Sequence, residues 1–152
     1  MTTQSHPLED YVLQTFQLDH AGLTRLSFFL LAHVLIDTRL IALALFKAVS
    51  EEGGVLLSRI QTLADEAAER TFGVHLDKVR ALLSDENVKI AEEMNKARNA
   101  LLHWKRDRFS LPEYKGQDVL SDDGFRRCMD EVLRFIQTVP FKPPPAATHV
   151  EP

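Results

Sequence analysis

The chain has 152 residues, 45% of them hydrophobic and 26% charged, which is the make-up of one globular domain large enough to bury a core. Its net charge of −4 excludes a protein that coats nucleic acid through bulk positive charge and leaves room only for a local basic site. Cys128 is the sole cysteine, so no internal disulfide forms, as suits a reducing compartment. The opening stretch MTTQSHPLEDY has no basic region followed by an apolar run, so no secretory signal is read there, and a cytoplasmic location is expected.

No strand alternation and no internal repeat occur, and every periodic stretch reads as helix. Residues 7–18 form a short first helix with Pro7 near its start. A long second helix is predicted from Thr24 to Ser50, stopping at Gly53-Gly54. Its stretch FFLLAHVLIDTRLIALALF, residues 28–46, is the strongest membrane candidate. His33, Asp37 and Arg39 interrupt it near the middle, and Asp and Arg each cost roughly 2.5–3.5 kcal/mol at a bilayer centre, so a buried helix of a bundle is expected instead of a membrane span. A third helix follows over Val55–Thr71, then a shorter one over His75–Leu83. Ser84-Asp85 offers an N-cap for a helix over 86–106. Pro112 and Gly116 lie in a loop. Asp122 or Asp123 caps a last helix that ends before Pro140. The tail PFKPPPAATHVEP is proline-rich and extended or disordered. The expectation is all-α: an up-down bundle of four main helices plus short ones, one domain over residues 1–139, with a flexible tail over 140–152.

Two features stand out from that pattern. The long helix is apolar nearly all round, and a helix apolar on every side must be covered on every side; a partner subunit would supply the cover a small bundle lacks. On it, His33 and Asp37 lie four apart. They are either a hydrogen-bonded pair that satisfies two buried polar groups, or the border of a functional cleft. The second feature is the 86–106 helix. On a wheel, Ile90, Met94, Ala97, Leu101 and Trp104 form the core stripe, and Glu92, Asn95, Asn99, His103 and Arg106 fall opposite. Asn99 and His103 stack one turn over the other, and Arg98 is long enough to reach round to them. Residues 96–108 hold Lys96, Arg98, Lys105, Arg106 and Arg108 against Asp107 alone, a local +4 in a chain whose remainder then carries −8. A basic spot beside a histidine on an acidic protein is a site for one or a few phosphates.

At Arg98-Asn99-x3-His103 the sequence resembles the HEPN superfamily of helical domains, whose signature is an arginine, four to six residues, then a histidine, often with a polar residue after the arginine. The resemblance implies a HEPN-like bundle that dimerises so that two motifs meet, and a metal-independent endoribonuclease of a toxin–antitoxin, phage-defence or RNA-processing system. His103 would be the acid/base and Arg98 would bind phosphate, with Asn99 completing the catalytic set. Asn95, Lys96, Lys105 and Arg106 become candidates for substrate contacts, and His33 and Asp37 candidates for support. The expected partners are single-stranded RNA, a second copy of the chain, and an antitoxin or other protein. Some toxin members carry a tyrosine two residues after the histidine; Lys105 stands there, so this chain departs from that subgroup. The alternative is a non-catalytic HEPN-like dimer that binds protein or nucleotide. No Glu-x-x-His motif is present, and His33 and Asp37 alone give two ligands, so neither a metal nor another cofactor is expected.

Overall fold

A computed structural model describes residues 23–51, 57–102 and 112–139. The predicted first helix at 7–18 and the tail at 140–152 lie outside these residues. Helix α1 runs over Leu23–Glu51, α2 over Leu57–Ala68, and α3 over Phe72–Val79, continued by a 3₁₀ turn at Arg80–Leu82. Helix α4 covers Asp85–Leu102. A two-stranded hairpin, β1 Glu113–Tyr114 and β2 Gln117–Asp118, leads into α5, Asp122–Thr138. The described part is therefore mostly helical, as the periodicity predicts.

Helix α1 is the axis of the fold and packs against all four of the other helices. By length and composition it would cross a bilayer, yet 56% of its most apolar window is buried inside the protein. Phe29, Ala32, Ile36 and Leu40 are fully buried along it, a 3–4 spacing that gives one continuous core stripe. Facing them are Leu76 and Val79 of α3, Ile90, Met94 and Ala97 of α4, and Val132 and Phe135 of α5. The charged residues that interrupt the apolar run have partners within the fold. Buried Arg39 donates from Nη1 to the Val139 carbonyl at 2.9 Å, holding α1 to the end of α5. Burial lowers its pKa to about 10.

The helix ends follow local chemistry. The Ser84 hydroxyl accepts from the Asn87 amide at 3.2 Å, as the predicted cap at the start of α4 requires. At α5 the expected cap, Asp122 or Asp123, is corrected to Ser121, whose hydroxyl accepts from the Gly124 amide at 3.1 Å. Asp122 and Asp123 lie in the first helical turn, where negative charge meets the positive end of the helix dipole. Pro112 and Gly116 lie outside the regular elements, as expected, but the expectation of no strands is corrected by the short hairpin, turned by Lys115 at φ 48° and Gly116 at φ 79°, the paired positive values of a type I′ turn. The Lys115 ammonium pairs with buried Glu131 of α5, and the Lys115 amide donates to Glu93 of α4 at 3.1 Å, so the turn is fixed to two helices.

Candidate functional site

The motif helix α4 presents its polar stripe toward α1 and α3. Along the stripe, Glu92 is exposed but Asn95 and Asn99 are half-buried, as is Arg98 beside them. The wheel treats that face as opposite the core; the structure lays α3 beside it. Arg98 donates from Nη1 to the Asn99 carboxamide oxygen at a long 3.4 Å. Among the described residues no carboxylate forms an ion pair with the Arg98 guanidinium. A half-buried guanidinium without a counter-charge is a ready partner for an incoming anion.

His33 of α1 lies in the same place. Its side chain is 7% exposed, and its ring stacks on Phe72 with centroids 4.5 Å apart. Burial pushes its pKa below 6.5, and the Arg98 charge pushes the same way; the neighbouring Asn95 carboxamide and the charge of Asp37 act against them. His33 Nε2 has no hydrogen-bond partner among the described residues. His33 of α1 thus lies close to Asn95 and Arg98 of α4.

The expected His33–Asp37 hydrogen bond is not formed. Asp37 instead accepts from His75 Nδ1 of α3 at 2.7 Å, and His75 Nε2 lies 2.7 Å from the Ala67 carbonyl at the end of α2. The physical reason is the direction of the ring. His33 is drawn onto Phe72 and toward α4, which leaves the carboxylate to a histidine that has a second acceptor to reach. Asp37 therefore sits one step back from the site and holds the wall of it.

Between α3 and α4 runs a cleft of about 440 Å³. Gly73, Leu76, Asp77 and Arg80 line one side, and Glu92, Asn95, Lys96 and Asn99 the other. Arg80 donates to Glu92 at 2.6 Å and to Asp77 at 3.1 Å, strapping the two sides together at the end nearest the start of α4. Of the sequence-predicted site residues, Asn95, Lys96 and Asn99 share this cleft, and His33 and Arg98 stand beside it. His103, Lys105 and Arg106 lie outside the described residues. Sequence reasoning missed Phe72, Gly73, His75 and Arg80. Their only signal is a glycine beside an aromatic at a helix start, which by itself points to no site. Among the described residues no three His, Cys, Asp or Glu side chains cluster as a metal-binding group.

No family model, no curated protein and no solved structure matches the chain.

Proposed function

We propose that this protein is a metal-independent endoribonuclease of HEPN type acting on single-stranded RNA. The observation that supports the reading best is Arg98: a half-buried guanidinium without a carboxylate partner among the described residues, next to Asn99 and His33, in a chain of net charge −4. A phosphodiester supplies the anion such a group lacks. In the proposed reaction the ribose 2′-oxygen bonds to the adjacent phosphorus as His103 takes its proton, the bond from phosphorus to the 5′-oxygen of the next nucleotide breaks, and that leaving oxygen receives a proton from the His103 of the second copy, leaving a 2′,3′-cyclic phosphate and a 5′-hydroxyl. Arg98 holds the phosphate and stabilises the charge that builds on its oxygens in the transition state. Asn99, already on the Arg98 guanidinium, orients it. His33 acts as a positioning residue, since its ring is buried behind Asn95 and Arg98. The reaction needs an acid and a base, and a symmetric dimer brings two motif histidines to one cleft.

The test is purified protein with mixed single-stranded RNA in EDTA. Wild type is expected to leave fragments ending in 2′,3′-cyclic phosphate. His103→Ala and Arg98→Ala are expected to lose at least about 100-fold in rate, within the range for removing an acid–base or charge-stabilising group, and to stay helical by circular dichroism. Equal cleavage by wild type and His103→Ala would overturn the assignment.

A further inference from the structure

The cleft beside Arg98 has a chemistry different from that of Arg98 itself. Four charged side chains face it, the acidic Asp77 and Glu92 and the basic Arg80 and Lys96, and Arg80 is bonded to both carboxylates. Their charges cancel, so the cleft suits an uncharged polar group better than a phosphate. Asn95 and Asn99 stand one turn apart on its α4 side. Each carboxamide sets an NH2 donor beside a carbonyl acceptor, the pattern that complements the donor–acceptor edge of an unpaired base. Opposite them the wall is Gly73. A Cβ built there would meet nothing within 4 Å, so the wall is open where a flat ring would lie, with Leu76 as an apolar floor. Asn99 links the two regions, since it lines the cleft and contacts Arg98.

A neutral cleft lined by two carboxamides, next to a guanidinium that has no carboxylate partner among the described residues, is the layout of one nucleotide, base and phosphate. We infer that this cleft is a nucleobase subsite. It takes an unpaired base of single-stranded RNA, whose edge is read by Asn95 and Asn99, while Arg98 holds the neighbouring phosphate. The inference rests on the RNA-cleaving reading above and adds to it a source of sequence preference.

The experiment measures binding and cleavage separately. Short fluorescent 2′-O-methyl RNA oligonucleotides of A, C or U, which cannot be cleaved, are titrated by anisotropy beside an abasic strand of the same length. Wild type is expected to bind its preferred base at least about tenfold tighter than the abasic strand. Gly73→Leu, which fills the cleft from a position with open space, and Asn95→Ala, which removes one amide, are expected to erase that preference while salt-dependent binding to the strand persists. Both variants are checked for helical content, and unmodified RNA is then digested to map the cleavage sites. Equal wild-type binding to base-bearing and abasic strands, with RNA still cleaved, would overturn the subsite and leave the nuclease reading standing. So would an unchanged preference in folded Gly73→Leu. Base-dependent binding without cleavage by wild type would support the subsite and overturn the nuclease reading. Absence of RNA binding would overturn both.

Discussion

His33 and His75 are both buried, and their ring nitrogens meet different surroundings. His33 leaves Nε2 without a partner among the described residues and is more easily kept neutral in the fold, because burial disfavours its charged form and Arg98 repels it. Asp37 and Asn95 oppose this without reversing it. Its pKa in the fold therefore lies below the 6.5 of the unfolded chain. As pH falls below about 6.5, the unfolded chain binds the proton first, so stability that is complete above that value is lost as pH approaches the folded pKa. His33→Gln, which cannot titrate, is expected to lose less stability than wild type between about pH 7 and about pH 5, measured by urea unfolding. Equal losses would show that His33 does not supply this slope. His75 is held at both ring nitrogens. Its two nitrogens face two acceptors, the Asp37 carboxylate and the Ala67 carbonyl. The local spacing of His33 and Asp37 suggests a pair to a reader of the sequence. The partner 38 residues away was not legible, because nothing in a single helix says which side chain a second helix will bring up.

At the scale of elements, the His75 bridge joins α1, α2 and α3 at one point. His75→Ala leaves a carbonyl and a half-buried carboxylate without their donor, and is expected to cost roughly 1–3 kcal/mol. The effect should be local as well as global, so α2 amides are expected to exchange faster than those of α5 by native-state hydrogen exchange. Slowed or unchanged exchange in α2 would refute the bridge's role. The hairpin is attached by close approach. A Cβ at Gly124 would lie 1.9 Å from the Asp118 carbonyl oxygen, a backbone atom that cannot swing aside. Gly124→Ala is expected to destabilise by roughly 1–3 kcal/mol through the overpacking it forces, while Gly73→Ala, with open space around its Cβ, is expected to be tolerated. Thermal unfolding of the two variants side by side checks the contrast. How legible these elements were depended on their length. The long α1 was readable from its sustained apolar run, and the Ser84 cap was readable because a small hydroxyl residue stood directly before a periodic run. The hairpin was not, because strands of two residues leave no alternation to see and Lys115 is an unusual occupant of a positive-φ position. The helix wheel separated the buried stripe of α4 from the rest correctly at Ile90, Met94 and Ala97. It treated Asn95 and Asn99 as simply opposite the core, because a wheel shows one helix and α3 supplies the other wall of their cleft.

At the scale of the whole molecule, the surplus of apolar surface on α1 remains the feature the described fold does not absorb. Leu30 is 36% exposed and Val34 47% exposed, one turn apart on the stretch that also carries His33. Adjacent exposed apolar side chains beside a candidate site are a natural seat for a second copy, because a two-fold contact uses the same patch on both chains and brings both sites together. Each Leu or Val fully removed from water contributes roughly 1.5–3 kcal/mol, and a two-fold axis counts every residue twice, so a few such side chains offset a substantial part of the cost of association. A homodimer at micromolar concentration is expected by sedimentation equilibrium. Leu30→Glu with Val34→Glu places four like charges across such an interface in the assembled pair and is expected to give a monomer of unchanged helical content, since neither residue belongs to the buried core. If the acid and base come from two chains, this monomer loses RNA cleavage together with self-association, and both return together as Leu30 and Val34 are restored. A monomeric variant that cleaves at the wild-type rate would show that one chain suffices and that the exposed face of α1 serves something other than the reaction. A wild-type chain that stays monomeric at tens of micromolar would remove the dimer from the proposal.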